Sequence, residues 1–161
     1  MLKFGFNKIY SIEAARSAYQ FQKKKFLTKK KIKLFCKDLN SFQFKKEYYD
    51  LVLDRGTLTH NKLSNIYKMF SKIEKSLTKN GYFLSVLFSS KSSYKTKEKD
   101  SYAFKKLNNE NGLLTNFFTK REVKSLFKKF HIVSLSHNTT EDLIPINRSY
   151  STWNIIAKKR S

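Results

Sequence analysis

The sequence predicts an α/β fold with a mostly parallel sheet, and three observations lead to this prediction. Tyr49–Asp54 contains three consecutive aliphatic residues, a composition typical of a strand that is buried on both faces. Apolar residues between Leu63 and Leu77 recur every three or four positions, as in an amphipathic helix. Strand and helix patterns alternate in the first half of the chain, which favours parallel strands joined by crossover helices.

The elements that precede this strand show the same alternation. A first strand is predicted over residues 8–13 and ends at Glu13, and a helix follows from Ala14 to Lys24. A second strand is predicted around Ile32–Cys36, where apolar residues alternate with lysine and phenylalanine, and it is closed by Asp38. Both strands therefore end in an acidic residue.

The middle of the chain continues with a helix over Leu63–Leu77. Asn80–Gly81 is predicted to end this helix with a turn, and Tyr82–Phe88 is predicted to be a fourth strand. Ser89–Gly112 is polar and charged, and we expect it to be a long loop or lid.

The last third begins with a helix start. Thr119 and Glu122 are three residues apart, which is the spacing of a capping box. A strand over His131–His137, a loop over Thr139–Ser149 and a final strand around Trp153–Ile156 follow. The last two strands are expected to form an antiparallel pair.

Composition places the chain in a broad class. The 161 residues suit one domain with a sizeable core, and 40% are hydrophobic. The single cysteine, Cys36, allows no intramolecular disulfide and no multi-cysteine zinc site. No apolar run approaches the roughly 20 residues that span a bilayer. We therefore expect a cytoplasmic protein in a reducing compartment.

The formal net charge of +22 is the most unusual property of the composition. Such a charge attracts nucleic acid or anionic membrane. The alternative is a lysine bias of the kind that an AT-rich genome produces, because few of the basic residues are arginines and the lysines are spread along the chain. We favour this alternative over specific binding of a polyanion.

Four segments resemble the class I S-adenosylmethionine-dependent methyltransferases: FGFNKIYSIEAARSAY, IKLFCKDLNSF, YYDLVLDRGTLTH and LTKNGYFLSVLFSS. FFTKREVKSLFKKF and STWNIIAKK are similar to the last helix and last strand of that family. The resemblance extends from about Gly5 to Lys159. It implies a Rossmann-like sheet, mostly parallel with an antiparallel C-terminal strand, and S-adenosylmethionine as the cofactor.

The resemblance also implies a set of cofactor-binding residues at the ends of strands. They are Glu13, Ala14, Asp38, Leu39, Asp54 and Arg55. Glu13 takes the position of the acid that holds the cofactor ribose, and Asp38 that of the acid near the adenine. The alternatives are a helix N-terminal acid for Glu13 and an Asx turn for Asp38. Asp54 and Arg55 are expected where the sheet meets solvent, and their alternative role is a local ion pair.

His60 is the best candidate for a general base, because the ordinary pKa of histidine is about 6.5. The alternative, a structural histidine in the N-cap region of a helix, is the preferred interpretation. His131 and His137 are expected at the surface, and the scattered histidines give no support to a metal site. Five aromatic residues could wall a substrate pocket, although packing under a loop is the preferred interpretation. They are Tyr94, Tyr102, Phe104, Phe117 and Phe118.

One feature of the family has no counterpart in the sequence. The chain has only four glycines, in no G-x-G pattern, whereas the family's first strand and glycine-rich loop would precede residue 1. That strand would lie between the strands that end at Glu13 and Asp54, so both edges are expected to lack a partner. We therefore expect a single, N-terminally incomplete domain over residues 1–161. Two explanations for the missing strand, a wrongly placed or truncated start of the chain and decay of the gene, are preferred to a third, in which a separate chain supplies the strand.

The sequence thus predicts methyl transfer from S-adenosylmethionine to a small-molecule acceptor, impaired if the glycine-rich loop is missing. The rival hypothesis is a non-catalytic basic module that binds RNA or another polyanion. Aromatic residues beside lysines would stack on bases in that case. These residues are Phe42, Phe44, Tyr48 and Tyr49.

Overall fold

The structure is a computed structural model that describes residues 5–103, 112–143 and 148–160. It contains two compact units, Met1–Gln43 and Phe44–Ser161. The expectation of one domain stays a prediction. Among the described residues, no helix is both long enough and apolar enough to cross a membrane.

The first unit is a strand–helix–strand motif. β1 (Ile9–Glu13) and β2 (Ile32–Cys36) form a two-stranded parallel sheet, and α1 (Arg16–Phe26) connects them. The hydroxyl of Ser11 donates to Oε1 of Gln22 at 2.9 Å and so ties α1 to β1. This confirms the predicted alternation, with a helix that begins and ends about two residues later than expected.

The second unit contains a four-stranded sheet with the strand order β3-β4-β8-β7. β3 and β4 are parallel, whereas β8 is antiparallel to both β4 and β7. β5 and β6 form a separate antiparallel pair. The elements are β3 (Tyr49–Arg55), a short 3-10 helix (Leu58–His60), α2 (Leu63–Ser76), β4 (Leu77–Phe88), β5 (Ser101–Ala103), β6 (Leu113–Thr115), α3 (Lys120–Leu126), β7 (Phe130–Asp142) and β8 (Arg148–Lys159).

α2 ends at Ser76, one residue before the predicted end, but the stretch after it differs from the prediction. β4 begins at Leu77, so Asn80–Gly81 falls within the strand, at a shift of register that leaves residues 78–81 between the paired positions Tyr49–Leu77 and Leu51–Tyr82. Leu77 is fully buried and has extended backbone angles, so its burial keeps the chain in the sheet. Gly81 allows close packing here, because a Cβ atom at this position would lie 2.9 Å from the carbonyl oxygen of Tyr49.

Two predicted loops are shorter than expected. β7 and β8 form a long hairpin that includes most of Thr139–Ser149, because the antiparallel ladder continues as far as Asp142 opposite Arg148. Pro145 lies outside the described residues. The Ser89–Gly112 segment contains β5, and its residues 104–111, which include the aromatic residue at position 104, also lie outside the described part.

The core lies between one face of the four-stranded sheet and the helices α2 and α3. Phe70 of α2 packs against Phe83 of β4 and against Phe127, with ring centroids 5.5 and 4.9 Å apart. The predicted capping box at the start of α3 is confirmed: the backbone N–H of Thr119 donates to Glu122 at 2.7 Å, and the backbone N–H of Glu122 donates to Oγ1 of Thr119.

Candidate active site

Asp54 lies at the carboxyl end of β3, but its side chain is turned into the protein. It is only 7% exposed, so the expectation that it lies where the sheet meets solvent is wrong. Its Oδ1 accepts the backbone N–H of Leu58 at 3.2 Å, and its Oδ2 accepts the hydroxyl of Ser85 at 2.9 Å. Burial raises the pKa of Asp54 to about 6, although these hydrogen bonds oppose the rise. Asp54 is therefore a structural acceptor that holds the next loop.

The loop after Asp54 turns sharply at Gly56, which has a φ of +88°. This left-handed conformation favours glycine because it has no Cβ atom. The hydroxyl of Thr59 donates to the Gly56 carbonyl at 2.6 Å and closes the turn. The turn leads directly into the short 3-10 helix that carries His60.

His60 is held by contacts that select one tautomer. Its Nδ1 lies 3.1 Å from the carbonyl oxygen of Leu114 and 3.2 Å from Oγ1 of Thr115. A carbonyl only accepts, and the Thr115 hydroxyl already donates its hydrogen to the Leu113 carbonyl at 2.8 Å. Nδ1 must therefore carry the proton, which leaves the lone pair on Nε2.

Burial also lowers the pKa of His60 below its ordinary value of 6.5, although the Leu114 hydrogen bond opposes this effect. The ring packs edge-on against Phe88 at the end of β4, with centroids 5.3 Å apart. A neutral imidazole with a defined lone pair is the form that a general base needs.

Asp100 and Asn116 hold the same loop from the other side, and the sequence analysis missed both. Oδ1 of Asp100 accepts the backbone N–H of Leu63 at 2.6 Å, at the first residue of α2. The amide of Asn116 donates to the same oxygen at 3.2 Å and to the carbonyl of Asn61 at 2.9 Å. Asn116 is fully buried and its backbone N–H also donates to the Thr59 carbonyl at 2.8 Å, so this polar network fixes the chain on both sides of His60.

Glu13 and Asp38 belong to the first unit, and each has a local hydrogen bond. Oε1 of Glu13 accepts the backbone N–H of Ala15 at 2.9 Å, just after β1. Oδ1 of Asp38 accepts the N–H of Asn40 at 2.6 Å, which is the geometry of an Asx turn. The Asx turn considered for Asp38 is therefore present, whereas Glu13 lies before the N-cap residue Ala15 and outside the first turn of α1, which contains no acid. A carboxylate has about four acceptor positions, so one such bond still allows ligand hydroxyls to bind.

The remaining predicted cofactor residues flank these acids. Ala14 is exposed and Leu39 is half-buried. Arg55 is exposed and does not form the suggested ion pair with Asp54. Adjacent residues of a strand point to opposite faces of the sheet, which separates these two side chains. The cofactor-binding roles of all six residues stay predictions.

The other two histidines and the aromatic residues considered for a pocket are either exposed or packed against neighbouring side chains. His131 is exposed, as expected. His137 is also exposed, but its Nε2 lies 2.9 Å from Oγ of Ser89 and its ring lies 4.3 Å from that of Trp153. Phe117 and Phe118 are buried, which supports the packing interpretation. Tyr94 packs against a cluster formed by Phe88, Ala103 and Phe117, whereas Tyr102 is exposed.

No metal-binding arrangement is found in the described part of the chain, where no three histidine, cysteine, aspartate or glutamate side chains are grouped suitably.

The α/β fold and the polar strand ends define a class of proteins that bind ligands at the carboxyl edge of a sheet. The family model described as "Methyltransferase domain" matches residues 1–85, which is more than half of the chain. The chain therefore belongs to this methyltransferase family, and the resemblance to class I S-adenosylmethionine-dependent methyltransferases is confirmed. No similar sequence was found among curated proteins.

Solved structures with a similar fold confirm the α/β, Rossmann-like fold class. TehB from Haemophilus influenzae has a TM-score of 0.69 at 15% identity; the match covers 95% of this chain and 50% of TehB, so the chain spans half of that protein's length. A SAM-dependent methyltransferase from Methanosarcina mazei has a TM-score of 0.72 at 16% identity, with 99% and 86% of the two chains covered. The Burkholderia thailandensis 1,6-didemethyltoxoflavin-N1-methyltransferase has a TM-score of 0.63 at 14% identity, covering 99% and 74%.

Proposed function

We propose that this chain binds S-adenosylmethionine and transfers its methyl group to a small-molecule acceptor, with His60 as the proton acceptor. The observation that carries the proposal is the tautomer of His60: Nδ1 is bonded to the Leu114 carbonyl, so Nε2 holds the basic lone pair. Family membership supports methyl transfer in general. The Burkholderia enzyme was solved with 1,6-didemethyltoxoflavin and S-adenosylhomocysteine, which supports a small acceptor.

The cofactor-side residues fit their proposed roles unequally. S-adenosylmethionine, when bound, supplies a methyl group on a positively charged sulfur and a ribose diol. Glu13 is half-exposed and is placed at the end of β1, so its carboxylate can accept both hydroxyls in charge-assisted hydrogen bonds. Asp38 is exposed after β2 and suits the adenine amino group. Asp54 fits poorly, because its two carboxylate oxygens are already bonded inside the protein.

On the acceptor side, His60 removes a proton from the nucleophile as the new bond to carbon forms. Its lowered pKa keeps the ring neutral near pH 7, ready to take a proton. Asp54 and Asp100 hold the loop on either side of the ring and act as positioning residues. Methyl transfer depends chiefly on the alignment of the two reactants, so a rigid loop is the expected requirement.

Titration calorimetry with S-adenosylhomocysteine tests the cofactor side. Glu13→Ala should weaken binding about tenfold or more, consistent with the loss of charge-assisted hydrogen bonds worth about 1.5–3 kcal/mol. Glu141→Ala is the matched control, because Glu141 is an exposed acid on β7. Equal affinity in the wild type and the Glu13 variant would contradict the ribose role.

His60→Gln tests the acceptor side. This variant should bind S-adenosylhomocysteine as the wild type does and lose most methyl transfer, measured as S-adenosylhomocysteine released with a panel of small nitrogen and oxygen nucleophiles. General acid–base catalysis contributes about 100-fold or more. A variant with unchanged turnover would exclude His60 as the base.

A second candidate function, binding of RNA by a non-catalytic module, is favoured by α1. This helix has no buried residue, and its last turn contains three consecutive lysines, Lys23–Lys25. Phe21 is 66% exposed, and the ammonium group of Lys25 lies 5.9 Å from the centre of its ring. Fluorescence anisotropy with single-stranded RNA distinguishes the two functions. A module predicts tight binding with a steep salt dependence, whereas the affinity for the cofactor should hardly change with salt.

A further inference from the structure

β7 is the outermost strand of the four-stranded sheet. In the order β3-β4-β8-β7 it pairs with β8 on one side, and no strand of the described residues lies on its other side. β7 is 13 residues long, and most of its side chains are exposed. The row of backbone N–H and C=O groups at such an edge is a template for pairing with another strand.

The outer edge of β7 lacks the charged residues that usually prevent such pairing. Residues 130–140 contain no lysine, arginine, aspartate or glutamate, although the chain has 34 basic residues. The other uncharged run of this length, residues 80–90, lies largely in β4, which has a neighbouring strand on each side. Natural edge strands are protected by lysine, proline or a bulge. β7 has only a bulge, between Ile132 and Ser134, and its ladder with β8 is regular from Ser134 to Asp142.

The charges at the two ends of β7 have opposite signs. Lys128 and Lys129 directly precede the strand. Glu141 and Asp142 end it, and all four residues are exposed. Lys129 and Glu141 are each six residues from Leu135, in opposite directions. An antiparallel pair of β7 strands with Leu135 on its two-fold axis therefore places the lysines of one copy beside the acids of the other, at both ends.

The bulge and an existing ion pair leave this match of charges in place. The extra residue of the bulge shifts the opposition by one position, which brings Lys128 instead of Lys129 opposite Glu141 of the second copy. Asp142 already pairs with Arg148 at 2.6 Å, so Glu141 is the main acid of the contact. A parallel pair of β7 strands would instead place lysine beside lysine and acid beside acid, which is unfavourable.

The net charge of +22 favours a narrow contact over a broad one. A broad interface between two copies would bring many lysines together. Pairing along β7 brings together two uncharged strand centres, and charges that are more than about 8 Å apart are largely screened at physiological salt. The edge of β7 is therefore a place where two copies of this basic chain can meet without facing cations.

We propose that the outer edge of β7 pairs antiparallel with β7 of a second copy of this chain, so that the two four-stranded sheets join into one continuous sheet. Lys128 and Lys129 of each copy contact Glu141 of the other. The proposal concerns assembly and is independent of methyl transfer.

Sedimentation equilibrium of the full chain tests the proposal, at about 0.15 M salt and about pH 8, where the histidines of β7 are neutral. The wild type should form a dimer whose fraction rises with concentration. Glu141→Lys should weaken dimerisation by about tenfold or more, because it replaces an attraction by a repulsion at both ends of the pair. Glu98→Lys makes the same change in net charge at an exposed glutamate outside β7, so it should leave the dimer unchanged.

A charge swap between two variants gives a second readout. Lys128→Glu combined with Lys129→Glu makes both ends of β7 acidic, whereas Glu141→Lys makes both ends basic. Each variant should dimerise at least about tenfold more weakly than the wild type when it is alone. An equimolar mixture should recover the dimer, because every acidic end then meets a basic end. Circular dichroism checks that the variants fold, and recovery in the mixture shows it independently.

Three results would overturn the proposal. The wild type stays monomeric up to about 1 mM, Glu141→Lys and Glu98→Lys affect the dimer equally, or the mixture dimerises no better than its two components. The first result would leave the edge of β7 to a strand of another protein, and the other two would assign the dimer to another surface.

Discussion

The buried carboxyl group of Asp54 should make the stability of the chain fall as the pH rises. Its pKa is about 6 in the folded chain, above the ordinary value of 3.8 that applies to the unfolded chain. The folded state therefore binds the proton more strongly between these two values. Stability from this group is fully present below pH 3.8 and is lost as the pH rises through 6.

The size of the effect follows from the two pKa values. The difference between about 6 and 3.8 corresponds to about 3 kcal/mol, at 1.36 kcal/mol for each pH unit. About 2 kcal/mol of this falls between about pH 4.5 and pH 7.5. Asp54→Asn should remove this dependence and keep the geometry, because an amide can accept the Leu58 N–H and donate to the Ser85 hydroxyl.

Urea unfolding of the wild type and of Asp54→Asn over this pH range measures the effect. The difference in the free energy of unfolding between the two chains removes the contribution of every other titrating group. It should change by about 2 kcal/mol in favour of the asparagine variant as the pH rises. Parallel pH profiles, or a change in the opposite direction, would refute the assignment of Asp54 as a buried acid with a raised pKa.

Three further predictions concern single residues. Gly81→Ala should destabilise the chain by about 1–3 kcal/mol in urea unfolding, because the new Cβ would lie 2.9 Å from the Tyr49 carbonyl oxygen. An unchanged urea midpoint would show that β3 and β4 can move apart to accept the methyl group. Thr119→Ala should cost about 1 kcal/mol in the same assay by removing the capping box with Glu122, and equal stability would contradict it. The rate of methyl transfer should fall at acidic pH with a midpoint below 6.5, the ordinary pKa of histidine, because burial lowers the pKa of His60. His60→Gln should abolish this fall, and a midpoint above 6.5 would indicate another base.

Much of the fold could be predicted from periodicity and short motifs. The parallel β1–α1–β2 unit, the amphipathic helix α2 and the capping box of α3 were all predicted from local patterns. The place of Asn80–Gly81 was not, because these two residues have the composition of a turn, whereas burial of Leu77 takes the chain into β4 and the two residues fall at a shift of its register. Tertiary packing decided the conformation at that point, and composition could not indicate it.

The candidate site was predicted less completely. His60 was selected for its ordinary pKa alone, whereas its tautomer depends on Leu114 and Thr115, which lie 54 and 55 positions away. Asp100 and Asn116 have no signal in the sequence, since each acts on a loop 37 or more positions distant. Asp54 was predicted as a ligand because it ends a strand, but the sequence could not show which way its side chain turns.

The two acids that hold the His60 loop share one physical role. The residues at the N-cap positions of the 3-10 helix and of α2, Thr57 and Lys62, make no side-chain cap. Asp54 and Asp100 instead accept backbone N–H groups of these two helical segments, from a strand end and from a distant loop. A carboxylate is favoured there because unpaired N–H groups concentrate positive charge at a helix start. His60 lies between the two capped starts, so its position depends on both acids, and a search for capping residues at the N-cap alone finds neither.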